Sequence, residues 1–277
     1  MFSGEVTELL IWLVPLLAAA GVLAGLLAGL LGVGGGVIVV PALYLIFGYL
    51  DVELAVRMHL AVGTSLATMI PTSIRSVRAH NARGAFDATI FWQWVPAMAV
   101  GVLSGAWIAS QVNFVVLVGL FGCVALIVAL YMAFADAEWK IADKPPGKLW
   151  RQPLAAMIGC ISSMMGIGGG TFSVPVLTLF GLPIHRAVGT AAGLGMVIAI
   201  PGMLGFIAGG WNSSGLPPFS LGYVSWLAFL LLSPATILAA PWGARLAHSL
   251  SPKTLRRVFA VFLGVTSMRM LWDIATL

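Results

Sequence analysis

Charge is what this chain has least of. Asp, Glu, Lys and Arg together make up 8% of its 277 residues, against 60% hydrophobic residues and a mean hydropathy of +1.05. A soluble domain carries about 25% charged residues, so a water-facing globule is excluded and an integral membrane protein is implied. Cysteine is nearly absent: Cys123 and Cys160 each stand alone in apolar runs, which excludes a disulfide framework and a thiolate metal site. No Asp or Glu falls in the middle of a long apolar stretch, so a carboxylate proton relay through the membrane has no residue to carry it. No Lys or Arg precedes Arg57, so the first apolar stretch, Leu9 to Leu31, lacks the basic flank of a cleaved signal and reads as a retained membrane segment. No Gly-Lys-Ser/Thr follows any glycine run, which excludes a nucleotide-hydrolase phosphate loop. No nucleophile–base pair or His/Cys/acid cluster stands out, so neither an enzyme nor a metal or other cofactor is expected. The net charge of +5 reflects basic residues held in loops and does not point to nucleic acid.

What is abundant is glycine, 33 residues of it, and its placement repeats. Gly32-Val33-Gly34-Gly35-Gly36 with Pro41 returns as Gly166-Ile167-Gly168-Gly169-Gly170 with Pro175, an offset of 134 (166 − 32). His59 and Ala61-Val62-Gly63-Thr64 return as His185 and Ala187-Val188-Gly189-Thr190, an offset of 126 (190 − 64). Pro96 and Gly105-Ala106 return as Pro234 and Gly243-Ala244, an offset of 138 (234 − 96). The apolar runs are continuous, without the period-two alternation of a membrane barrel. The fold expected is therefore an all-α integral membrane protein of two inverted-topology repeats, about five helical segments each, with short or broken helices at the glycine motifs. The repeats are placed at 1–135 and 153–277, with a cytoplasmic linker at 136–152.

Basic residues set the expected orientation. The groups Arg75/Arg78/Arg83, Lys140/Lys144/Lys148/Arg151 and Arg245/Lys253/Arg256/Arg257, together with Arg186, are assigned to the cytoplasm. The breaks at Glu5 to Glu8, Asp51 to Arg57, Ser110 to Asn113 and Gly209 to Ser220 are assigned outside, as are both termini. The limbs Val37 to Tyr49 and Thr171 to Leu182 are short for a full crossing, and short tilted spans and a re-entrant hairpin both fit them. The tryptophans Trp92, Trp94, Trp107, Trp211, Trp226, Trp242 and Trp272 read as interface anchors.

The glycine runs are the candidate site. A helix that restarts after such a break presents unpaired N–H groups and the positive end of its dipole, which suits an anion. Backbone polar groups of this kind are tolerated in a membrane only inside protein or against a water-filled cavity. The expected substrate ligands are Gly34, Gly35 and Gly36 with Gly168, Gly169 and Gly170, and the hydroxyls of Thr64, Ser65 and Thr190. His59, His185 and Arg75 are candidates for gating or coupling. The packing alternative is that glycines only let helices approach closely, as expected of Gly21, Gly25 and Gly29; these and Gly101/Gly105 also offer faces for a homodimer.

The same motifs carry a resemblance. Gly29-Leu30-Leu31-Gly32-Val33-Gly34-Gly35-Gly36 with Pro41, Ala61-Val62-Gly63-Thr64-Ser65-Leu66, their second copies, and His80 with Gly84 and Asp87 resemble the sulfite exporter TauE/SafE family of bacterial and archaeal inner-membrane proteins. The second copy departs in having Ala191 where the first has Ser65. The resemblance implies a secondary transporter or permease of the inner membrane that moves sulfite or organosulfonates such as sulfoacetate, in the export direction, by alternating access. The partners it implies are a small anion and membrane lipid. A non-transporting scaffold and an anion channel are the alternative functions.

Overall fold

A computed structural model describes residues 15–26, 35–134, 142, 147–246 and 252–276. Among these residues the chain forms ten helices: α1 (Pro15–Leu26), α2 (Gly36–Tyr49), α3 (Leu54–Asn81), α4 (Ala88–Gln111), α5 (Phe114–Phe134), α6 (Lys148–Met165), α7 (Gly169–Leu179), α8 (Ile184–Gly209), α9 (Trp226–Leu246) and α10 (Pro252–Ala275). The single departure from an all-helical chain is a small antiparallel pair, β1 (Ser220–Leu221) and β2 (Val224–Ser225), just before α9. Five helices precede the stretch 135–147 and five follow it. Four helices are long and apolar enough to cross a bilayer: α3, α4, α5 and α8. The chain is thus a helical membrane protein, as its composition requires.

Local chemistry sets the helix ends. Asp87 Oδ1 accepts the Ile90 N–H at 3.0 Å and starts α4; Asn113 Oδ1 accepts the Val116 N–H at 3.1 Å and starts α5. Gly166 takes a left-handed conformation (φ 64°) and stops α6, with the Ile167 N–H returning to the Ser162 carbonyl at 2.9 Å. Gly35, also left-handed at φ 76°, precedes α2. Both short limbs are confirmed as short. At about 1.5 Å per residue, the 14 residues of α2 reach about 21 Å and the 11 of α7 about 17 Å, against about 30 Å of hydrocarbon. The start of each is buried in protein, Gly36 to Pro41 of α2 throughout and Gly169 to Thr171 of α7.

Helix contacts are made through glycine. Gly101 of α4 faces the backbone of Ala156 on α6, Gly105 faces the Cys160 carbonyl, and Gly159 of α6 faces the Met98 carbonyl. Gly21 and Gly25 of α1 pack on Leu232, Ala235, Thr236 and Ala239 of α9. These stripes, read from the sequence as close-packing glycines that also offer faces for a homodimer, pack on helices of the same chain. Gly29 and the linker residues Lys140 and Lys144 lie outside the described residues, as do the residues before Pro15. One tryptophan also departs from expectation: Trp94 is fully buried in the core, whereas Trp92, Trp107, Trp211, Trp242 and Trp272 are exposed.

The loops sort into two groups. The turn before α4 (Ala85, Asp87) meets Gly189, Thr190 and Arg186 of α8. The turn before α9 (Tyr223, Ser225) meets His59, Gly63 and Thr64 of α3. Segments assigned to the same side by charge are thus neighbours in each group.

A methyl group at Gly101 would overlap the Ala156 carbonyl and force α4 from α6. Gly101→Ala is expected to destabilise the protein by about 1–3 kcal/mol, read as a lowered melting temperature in detergent with an unchanged oligomeric state.

Candidate anion site at the crossing of two glycine breaks

The second glycine break lies against the first. The Gly166 carbonyl oxygen sits directly over Gly36, and Ile167 Cα lies 3.1 Å from where a Gly36 Cβ would be. On its other side Gly166 faces Val40 of α2 and the backbone of Val62 on α3. Ser65 Oγ of α3 donates a hydrogen bond to the Gly166 carbonyl at 2.8 Å and so pins the break. Everything from Ser162 to Thr171 is buried, as are Gly35 and Gly36.

Two helices begin here with unpaired amides. In α2 the first backbone bonds are from Ile38 and Val39 to the Gly35 carbonyl, both 3.0 Å. In α7 the first is from Thr171 to the Gly168 carbonyl at 3.3 Å. The N–H groups of Gly36, Val37, Gly169 and Gly170 have no acceptor among the described residues, and neither helix has a side-chain N-cap. Gly168 is extended (φ −71°, ψ 162°) and aims the chain into α7; Gly169 packs on the Ala191 carbonyl and the Gly195 amide of α8. Unpaired amides at buried helix starts favour negative charge. Among the described residues, the buried polar side chains are hydroxyls and His59, with no acidic side chain.

The hydroxyls named from sequence have other tasks. Thr64 Oγ1 accepts the Ser225 N–H at 2.9 Å, and Thr190 Oγ1 accepts the Asp87 N–H at 3.1 Å. Both threonines are fully buried. Gly63 and Gly189, one residue earlier, have no side chain to keep the Tyr223 and Ala85 carbonyls away. Each Ala-Val-Gly-Thr therefore seats the start of a helix from the opposite end of the chain: α3 seats α9, and α8 seats α4. Asp87 adds an ion pair to Arg186 at 2.6 Å, but Arg186 is half exposed, so this pair contributes little. Ser65 spends its proton on Gly166.

The matched histidines do not match in place. His59 is buried, with Nε2 donating to the Ala109 carbonyl (3.0 Å) and sharing the Val112 carbonyl (3.2 Å), and its ring stacks 4.8 Å from Tyr223. It ties the end of α4 to the turn before α9. His185 and Arg75 are exposed. The crossing therefore brings Gly36 and Ser65 to Gly166 and Ile167, the residues that lead into Gly168 to Gly170, and leaves His59, His185 and Arg75 elsewhere. Gly34 lies outside the described residues. Missed from sequence were buried hydroxyls near the breaks: Ser162, Thr171 and Ser173 have no hydrogen-bond partner among the described residues. Their signal is hydroxyl residues clustered within a few positions of the glycines in otherwise apolar helices.

The profile of the sulfite exporter TauE/SafE family matches residues 17–270, nearly the whole chain and both glycine breaks. The chain belongs to the TauE/SafE family. It is similar to a probable membrane transporter protein of Haemophilus influenzae, 34% identical over 254 residues that cover 90% of this chain and 95% of that one. A probable membrane transporter protein of Methanocaldococcus jannaschii is 31% identical over 267 residues, covering 94% and 96%. The probable membrane transporter protein YfcA of Escherichia coli is 25% identical over 267 residues, covering 94% and 90%. No solved structure matches the chain. For this TauE/SafE protein, then, membrane transport is the activity its site must be read against.

Thr64→Val leaves a buried N–H without an acceptor and is expected to cost about 1–3 kcal/mol; Thr190→Val leaves a partly buried one and is expected to cost less. Thr→Ser at either position keeps the oxygen and is expected to restore most of the melting temperature. The two losses are expected to add, since the two seats share no partner.

Proposed function

We propose that this protein is a secondary permease that exports small sulfur-containing oxyanions, sulfite or organosulfonates such as sulfoacetate, across the inner membrane. The two sets of five helices act as inverted repeats that alternate access around the crossed glycine breaks. The central linker is cytoplasmic and both termini lie outside. The observation that carries this reading is the contact of the α2 start, at Gly36, with the break at Gly166 and Ile167 that leads into α7; both helices begin with amides that have no acceptor among the described residues, deep in an apolar protein. Family membership supports transport, and the family's description supplies sulfite as the first substrate to try.

Export needs no proton site in this scheme. With an inside-negative potential, one negative charge moving outward gains about 2.3 kcal/mol per 100 mV. This agrees with the buried polar side chains among the described residues, which include no carboxylate. A scaffold has one observation in its favour: Gly36 and Gly169 both press on neighbouring backbone, as packing glycines do. Flux separates the two readings.

Purified protein in proteoliposomes, screened by counterflow with sulfite, sulfoacetate, taurine, thiosulfate and sulfate, is expected to exchange the first two with saturation. Absence of flux for all five would leave the scaffold; flux without saturation would mean a channel. An imposed potential of 100 mV is expected to shift the equilibrium distribution of a singly charged substrate by about 50-fold. Gly35→Leu and Gly169→Leu are expected to abolish exchange. At Gly169 part of that loss comes from packing, because a Cβ there lies 2.8 Å from both the Ala191 oxygen and the Gly195 nitrogen.

A further inference from the structure

The two threonine seats are built alike but plugged differently. On α3, the place of a Gly63 Cβ lies under the Tyr223 carbonyl and 3.1 Å from the Cβ of Phe206. On α8, the place of a Gly189 Cβ lies under the Ala85 carbonyl and 3.2 Å from the Cβ of His80. The pairs obey the offsets of the repeat (189 − 63 = 126, 206 − 80 = 126, 223 − 85 = 138). His80 therefore stands in one seat where Phe206 stands in the other.

The plugs differ in chemistry. Phe206 is buried, meets the Tyr223 ring edge-on at 6.5 Å, and takes up no proton. The titratable groups beside it are already bonded, His59 to the Ala109 carbonyl and the Tyr223 hydroxyl to Ser213. His80 is half-buried, and a histidine changes charge near neutral pH. The 28 residues of α3 reach about 42 Å, past about 30 Å of hydrocarbon. His80 is the last residue but one of that helix, so it lies at the watery end.

The charged neighbours of His80 are mostly positive. Arg83 and His185 both act on its charge. His185 stands one turn before Gly189, on the face of α8 that His80 covers. Arg186, next to it, holds the Asp87 carboxylate at 2.6 Å. Asp87 is the one carboxylate among the described residues here, since α4, α7 and α8 carry none. Arg75 and Arg78, further back on α3, are exposed. A proton on His80 is thus opposed while the seat is closed. The C-terminal end of α3 favours that proton, but it does so whether the seat is closed or open. Parting His80 from α8 removes the opposition. The open seat then binds more protons than the closed one, and acid favours opening.

We propose that the α8 seat is a proton-sensitive gate: charging of the His80 plug loosens the contact between Asp87 and Thr190, while the α3 seat, plugged by Phe206, stays shut. On the permease reading this gate is the cytoplasmic entrance. The gate itself needs only the two seats.

The test reads opening directly. Ala187 and Ala61 lie one turn before Thr190 and Thr64, and both are fully buried. Ala187→Cys and Ala61→Cys are made singly in full-length protein that carries Cys123→Ala and Cys160→Ala. Maleimide labelling in detergent is divided by the rate for the denatured protein at the same pH. Between about pH 8 and about pH 5.5, labelling at Ala187→Cys is expected to rise about tenfold, and at Ala61→Cys by less than about twofold. His80→Phe copies the other seat and is expected to fold and to abolish the rise. His80→Gln, which also takes up no proton, is measured beside it and is expected to do the same. No rise at Ala187→Cys, an equal rise at Ala61→Cys, or a rise that survives the loss of His80 would each overturn the gate. Neither substrate nor flux enters this measurement, so a failure of sulfite transport falls on the permease reading alone.

Discussion

Two hydrogen bonds, one buried and one partly buried, hold the architecture together: Ser225 N–H to Thr64 Oγ1 and Asp87 N–H to Thr190 Oγ1. A helix start that is covered by protein needs an acceptor that the protein supplies, because water reaches it poorly. Each threonine does so for a helix from the other end of the chain, and each preceding glycine lets that helix start come close enough. The two seats obey the same offsets as the sequence copies, 126 between the threonines and 138 between the donors (225 − 87). α3 and α8 therefore act as paired posts between which the shorter elements are set.

On those posts the glycine breaks find fixed positions. Ser65 stands next to Thr64 on α3 and reaches the Gly166 carbonyl, so the residue after the seat fixes the turn between α6 and α7. Gly36 then lies under that carbonyl, and Gly169 rests on α8 beside Gly195. The second copy has Ala191 in place of Ser65 and provides no such hydroxyl. This one missing oxygen is the first of several differences between the breaks, and Met69 against Gly195 is the next.

Much of this was legible beforehand, and the reasons are physical. Continuous apolar runs with so little charge leave helices as the main way to pair the backbone in lipid, and the consecutive glycines marked where helices stop and restart. The left-handed Gly35 and Gly166 are where those stops fall. Charge in the loops also sorted neighbours correctly, since Arg186 meets Asp87 and Tyr223 meets His59. What periodicity could not carry was direction around a helix. Thr64 and Ser65 are adjacent in sequence but point about 100° apart on a helix of 3.6 residues per turn, so one takes a backbone N–H and the other gives to a carbonyl. His59 and His185 share a position in the repeat but not an environment, because Tyr223 and the end of α4 cover only the first. Ser173 stands outside the repeated words altogether: Val39 holds its place in the first copy (173 − 134), so no repeat marks it.

The crossed seats bear on ancestry. A chain of five helices carrying one Ala-Val-Gly-Thr and one matching helix start would own a socket and a plug that belong to separate molecules. Two such chains would have to bind head to tail before either was complete. Fusion of their genes would turn that association into a single polypeptide, and from then on each copy could drift, as Met69 against Gly195 and Ser65 against Ala191 do here.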